Sequence, residues 1–484
     1  MIEENIEIHD RYQFEIKLAY KLNKEKKYNF YNVETYLFLP QNLGINKRTY
    51  KKDQFYTDIH SYIRLKTPQV PLRNMVNCKD SPFKKLKKAT EKLTESKTDK
   101  NAEIWEYHTK MFLSIFRKAL RDHVLFTYIK KDDEENIKQL IEEYIENIEI
   151  ITKNYRGLKR LLNIPTITED IFNTYTMGDE FLSLSIENAT FELIERLKDS
   201  KEIPIKRLLL LIENEYKYRK MHNIPSIPNE KSDNETYLFR SSVLKKFISS
   251  VLFLDTRYEK EGKIAEQVFY SIAAGMAMVF ATLIAFYTQK KYGGFTFPLF
   301  IALVVSYMFK DRIKELTRIY FAKKLRKLLF DHKTYIYVPG GEKIGMCKER
   351  FSFAKEKNIA PEILKIRNRD NFTNIENDLL GEHIIYYRKF IRLHQDKIEK
   401  IYREYTINGI DDIIRFNIST FLKKMDDPKK LLYILTDDGY KKIWGEKVYH
   451  INMIIKFTTE KDVRYKRFRL IITRKGLKRI EEVI

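Results

Sequence analysis

Cysteine is scarce in this 484-residue chain: Cys78 and Cys347 are the two present, in no CxxC spacing. That leaves no disulfide framework and no zinc knuckle, and it suits a reducing compartment. The signatures of familiar catalysts are also missing, since no GxSxG, DFG, HRD or HExxH pattern occurs. His383 and His394, the nearest pair of histidines, would face opposite ways on a strand and have no acidic or cysteine ligand pattern beside them. VPGGEKIG, from Val338, places a glycine-rich turn after a strand, yet Met346 and Cys347 stand where a phosphate loop needs Lys and Ser or Thr. It reads as a hairpin turn, and no cofactor or metal is expected.

Charge is also absent, but only locally. The chain is 32% charged, with 90 Lys and Arg against 67 Asp and Glu, and its mean hydropathy is −0.47. Against that background the stretch from Val268 to Thr288 carries no charge, and after Lys290 and Lys291 neither does the stretch from Tyr292 to Phe309. As helices these would be about 31 and 27 Å long, close to the roughly 30 Å hydrocarbon core of a bilayer. Pro298 falls early in the second helix, where its missing N–H costs little. Ala273, Ala277, Ala281 and Ala285 form a small-residue stripe suited to close helix packing in lipid. Tyr270, Tyr287, Tyr292 and Tyr307 lie near the ends, at headgroup level. The sequence therefore predicts a central two-helix transmembrane hairpin.

Arg257, Lys260 and Lys263 precede the pair, and Lys310, Arg312, Lys314, Arg318, Lys323, Lys324, Arg326 and Lys327 follow it. Basic outer flanks place both termini in the cytoplasm, at a bacterial inner membrane, and the acidic N-terminal MIEENIEIHD has no apolar leader core.

The expected fold class is an α+β integral membrane protein with this organisation: a β-rich N-terminal segment (1–75), a helical bundle or coiled-coil region (81–225), a linker and pre-membrane helix (226–264), the hairpin (265–309), a basic helix (310–332) and a cytoplasmic α+β domain (333–484). Strict alternation from Tyr12 to Leu22 and the run YNFYNVETYLFL predict two strands, and FYTDIHSYIRL from Phe55 a third. Ile137, Ile141, Tyr144, Ile148, Ile151, Tyr155, Leu158 and Leu162 form a heptad seam. YIYV, HIIYYRKFIRL, LLYIL, KVYHINMIIKF and KRFRLIIT predict C-terminal strands, and IDDIIRFNISTFLKKM predicts a helix. The N-terminal strands could join the C-terminal sheet, since both flanks would leave the membrane on one side.

The formal net charge of +23 points to anionic partners. Bases near the hairpin suit anionic lipid headgroups. On the last strand Arg467 and Arg469, followed by Arg474 and Lys475, suggest a cationic face for a polyanion, with nucleic acid a less favoured partner than a protein or a second copy. The leading function is a membrane-anchored scaffold, sensor or effector. The second reading is a membrane-tethered enzyme on phosphate esters or nucleic acid, in which Asp411, Asp412, Asp426, Asp427, Asp437 and Asp438 hold Mg²⁺. Each aspartate pair also has a simpler role at a helix end or in a turn.

Overall fold

The computed structural model describes residues 2–131, 134–198, 204–259, 261, 263–294, 296–368, 381–437, 439–460 and 462–483. The chain is α+β and divides into two compact units.

The helical unit comprises Arg64–Phe253 and Tyr402–Asn408. Its main helices are α1 (Pro82–Glu95), α2 (Asp99–Ile129), α3 (Glu134–Gly157), α4 (Glu169–Leu197), α5 (Ile205–Met221) and α6 (Glu235–Ser249). Ser81 and Thr98 cap α1 and α2 by accepting the backbone N–H three residues on, from Lys84 and Asn101. The seam from Ile137 to Leu162 is buried throughout, within this one unit. Apolar spacing alone cannot tell an internal bundle face from a coiled coil between chains.

The second unit comprises Met1–Ile63, Leu254–Ile401 and Gly409–Ile484. Its strands are β1 (Ile2–Asp10), β2 (Gln13–Lys21), β3 (Tyr28–Pro40), β4 (Ile59–Leu65), β5 (Asp255–Glu259), β6 (His332–Tyr337), β7 (Lys343–Ala354), β8 (Glu382–His394), β9 (Gly409–Asn417), β10 (Lys429–Thr436), β11 (Gly439–Glu446), β12 (Tyr449–Thr458), β13 (Val463–Thr473) and β14 (Gly476–Glu482). One sheet runs β14-β13-β12-β3-β8-β7-β6-β5, a second runs β1-β2-β9-β4, and β10 and β11 pair as an exposed ribbon. N-terminal β3 thus lies between β12 and β8, antiparallel to both. Phe55, from the short helix Lys52–Asp58, bridges the inner faces of the two larger sheets: it stacks on Phe351 of β7 at 4.2 Å and lies 5.8 Å from Phe416 of β9, which in turn meets its cross-strand neighbour Phe14 at 5.4 Å. Helix α9 (Pro361–Arg367) closes the outer face of the long sheet, setting Ile363 against Phe38, Ile384 and Ile454.

Between β5 and β6 the chain leaves the sheet as two antiparallel helices, α7 (Lys263–Tyr292) and α8 (Phe297–Leu328). This corrects the expected two-helix transmembrane hairpin. Among the described residues only Glu266–Tyr292 forms a helix long and apolar enough to cross a membrane, with a mean hydropathy of 2.0. Residues after Tyr292 go into the turn, where Gly293 has a φ of 75°, so α8 starts at Phe297 and meets Lys310, Asp311 and Arg312 after Phe309. Its charge-free part is roughly 20 Å long, well short of the hydrocarbon core. An integral protein with two crossings is not supported.

Two further expectations need correction. Phe55 lies in a short helix, Lys52–Asp58, and the strand begins only at Ile59. IDDIIRFN is not helical: it forms β9, buried on both faces from Gly409 to Ile414. Isoleucines at 410, 413 and 414 fit a helical stripe, but β-branched residues favour a strand wherever both faces can be covered.

Candidate functional site

The α7–α8 hairpin presents the largest run of exposed apolar side chains. On α7, Leu283 and Phe286 expose 64% and 65% of their surface, and on α8 Met308 and Phe309 expose 65% and 55%. Ala273 and Ala277 are buried and Ala281 and Ala285 half-buried, on the side of α7 that meets α8. There Ser306 Oγ donates to the Ala281 carbonyl at 3.2 Å, Phe269 stacks on Phe321, and Arg318 covers the Tyr270 ring. The helices thus cover the alanine stripe and leave the larger side chains outside. Lys290 and Lys291 are exposed beside the turn, and Lys310, 3.8 Å above the Tyr307 ring, opens the basic stretch at the other end. Arg257 lies over the Tyr337 ring. Lys260 lies outside the described residues, as do the side chains of Lys263, Lys323, Arg326 and Lys327.

A second feature is an ionic cluster inside the sheet sandwich. Lys389 of β8 and Asp412 of β9 are 1% and 0% exposed, and Lys389 Nζ lies 2.7 Å from Asp412 Oδ2 and 2.9 Å from Oδ1. Ser61 Oγ accepts from Lys389 at 2.8 Å and donates to Asp412 Oδ1 at 2.9 Å. Glu349 of β7, the cross-strand neighbour of Lys389, places Oε1 3.4 Å from Nζ and accepts from the Tyr387 hydroxyl. Tyr20 donates to Asp412 Oδ2 at 3.4 Å. Burial alone would lower the Lys389 pKa, but the Asp412 carboxylate, then Cys347 and Glu349, push it upward on balance. The Cys347 thiol is raised, chiefly by burial. Next to Lys389 is a small apolar cavity of about 20 Å³, lined by Phe14, Leu18, Phe55, Ile414, Phe416 and Met453 among others.

The strand pattern of HIIYYRKFIRL did not single out Lys389. A signal was present: Tyr387, Lys389, Ile391 and Leu393 share one face, which makes Lys389 the cation in an apolar row.

The helical unit carries a separate buried network along α4. Arg156 reaches Asp179 at 3.0 Å and grips both oxygens of Glu215, Arg219 pairs with Glu187 and Ser183, and Arg240 takes both oxygens of Glu180. The carboxylates are all buried and each has a guanidinium partner, as burial demands.

The basic residues singled out on the last strand do not form one solvent face. Arg467 is fully buried beneath α9, donating to Asn452 Oδ1 at 2.9 Å and to the Ile366 carbonyl at 3.1 Å. Arg469 lies 3.6 Å from Glu481, Arg474 pairs with Asp427 at 2.9 Å, and Lys475 sits in the turn beyond. The strand is covered on both sides here because α9 lies on the face that alternation alone assigns to solvent.

Nor do the described aspartates converge. Asp411 and Asp412 are in the sandwich interior, Asp426 pairs with Lys447, Asp427 with Arg474, and Asp437 is in the exposed β10–β11 turn. Asp438 lies outside the described residues. Among the described residues no three His, Cys, Asp or Glu side chains could together hold a metal ion. Comparison with protein-family models, curated proteins and solved structures finds no match to this chain.

Proposed function

We propose that this protein is a membrane-attached binding module, held at the cytoplasmic face of a membrane by the α7–α8 hairpin, acting there through contacts with proteins or polyanions. The observation that carries this reading is the exposed apolar surface of the hairpin. Large apolar side chains surround α7 on every side except its alanine stripe, and that stripe is already covered by α8. A second protein would cover one further face, whereas lipid covers all of them. Charge agrees: lysines at the turn and Lys310, Arg312 and Lys314 at the other end bracket the apolar part, where long stems can reach anionic headgroups. The arrangement suits a hairpin lying within one leaflet rather than a pair of crossings. Because β5 and β6 pair with each other, both ends of the hairpin return to the same sheet edge.

Flotation with vesicles containing phosphatidylglycerol tests the reading. The detergent-extracted protein, after detergent removal, should rise with the vesicles, and the double variant Leu283→Asp, Phe286→Asp should stay below. A wild-type protein that does not float, or a double variant that floats equally well, overturns it.

A further inference from the structure

We propose that Lys389 and Asp412 condense to an intramolecular amide that ties the two sheets of the sandwich together covalently. An amine, a carboxyl group and a second carboxylate meet in a space that excludes water. Lys389 Nζ is within hydrogen-bond distance of both oxygens of Asp412, so it is also held against the carbon between them. Proximity of this kind removes most of the entropic barrier to acyl transfer. Both side chains are essentially without solvent contact, and apolar and aromatic residues form the surrounding wall.

The balance needs no outside reagent. The ammonium passes a proton to the carboxylate across their 2.7 Å contact, giving a neutral amine and a carboxylic acid. The neighbouring carboxylates keep the ammonium the favoured form, so the neutral pair is the minor species from which attack proceeds, and the desolvation cost of the two buried charges works in its favour. The amine lone pair attacks Asp412 Cγ and a C–N bond forms. The C–O bond to the hydroxyl then breaks, and the hydroxyl leaves as water with the second proton from nitrogen. An ammonium and a carboxylate become one amide and one water, with no change in oxidation state. Glu349, 3.4 Å from Nζ, takes the proton released by the attacking nitrogen and returns it to the departing oxygen, as a general base and then a general acid. Ser61 and Tyr20 direct hydroxyls at the Asp412 oxygens, where negative charge develops on attack.

The intact mass of the denatured full-length protein decides the matter. It should be one water lighter than its sequence, and a tryptic digest should contain a branched peptide joining the Lys389 and Asp412 segments, uncut after Lys389. Asp412→Asn should condense with loss of ammonia instead of water. Glu349→Gln should keep the full sequence mass; if it condenses as fast as wild type, the role given to Glu349 falls. A wild-type protein at full sequence mass, or a water deficit without the branched peptide, overturns the proposal. Neither measurement involves a membrane, so this inference and the functional one fail separately.

Discussion

Tyr155 of α3 lays its hydroxyl over Gly178 of α4 so closely that a β-carbon at 178 would sit 2.2 Å from the oxygen. The same hydroxyl donates to the Tyr175 carbonyl at 3.2 Å, which leaves the ring little freedom to withdraw. Gly178→Ala gains up to about 1 kcal/mol in helix propensity and loses about 1–3 kcal/mol to overpacking. The variant should be less stable on balance, with a lower Tm by calorimetry. A Tm at or above wild type would mean that α3 and α4 separate without cost.

Arg156 joins two buried carboxylates, so removing it should leave Asp179 and Glu215 without their cationic partner, although the Tyr218 hydroxyl still donates to Asp179 at 2.6 Å. Arg156→Met should destabilise the protein by roughly 3 kcal/mol, at the lower end for broken buried pairs because Arg156 is itself 20% exposed. Arg156→Lys should recover part of this, since it restores charge but not the two-pronged grip on Glu215. Urea denaturation of the three proteins gives the order directly.

His123 donates through Nε2–H to the Leu140 carbonyl at 2.9 Å, because a carbonyl oxygen can only accept. Burial lowers its pKa below the ordinary 6.5, although the Leu140 hydrogen bond and Glu143 oppose the shift. The folded protein therefore binds this proton more weakly than the unfolded chain does. The contribution is fully present above about pH 6.5 and is lost as pH falls below it. Thermal stability should fall from about pH 7 to pH 5, and His123→Gln should flatten part of that fall. An unchanged pH profile in the variant would remove His123 from the account.

Arg467→Gln should damage the fold rather than any binding surface, by about 1.5–3 kcal/mol, the range for buried hydrogen bonds from a charged group. Arg474→Gln should be nearly neutral, because its partner Asp427 is 87% exposed. Equal stability of the two variants, measured by thermal melting, would contradict the burial of Arg467.

Ala281→Cys with Ser306→Cys should form a disulfide across α7 and α8 under mild oxidation, given the contact between these two positions. Adding Ala277→Leu, at a position 1% exposed, should suppress it by pushing the helices apart. Undiminished crosslinking in the triple variant, seen as an unchanged gel shift, would place residue 277 away from α8.

Much of the strand content could be read from alternation, because β2, β8 and β12 each have one face in the core and one partly wet. The heptad spacing of α3 likewise marked its buried side. What could not be read depends on cover supplied from far away in the chain. β9 has apolar residues on both sides, and the pattern Ile410, Ile413, Ile414 is as good a helix as a strand until two sheets are known to enclose it. Arg467 alternates like a surface residue, and only α9 makes it internal. The charged cluster combines Lys389, Asp412, Glu349 and Ser61 from four strands in two sheets, a meeting that no local spacing encodes.

The place of β3 between β8 and β12 also sets an order of events during synthesis. A ribosome finishes β3 early, but its two sheet partners are made only after the helical unit and the hairpin have emerged. Contacts spanning some four hundred residues, such as Leu37 with Met453, form last and slowly. Throughout that interval the nascent chain holds unpaired strand edges together with a finished, greasy helical pair. A lipid surface that captured the pair early would hold the newborn chain at one spot, thin out its collisions with other nascent chains, and leave the sheet to close on a tethered molecule.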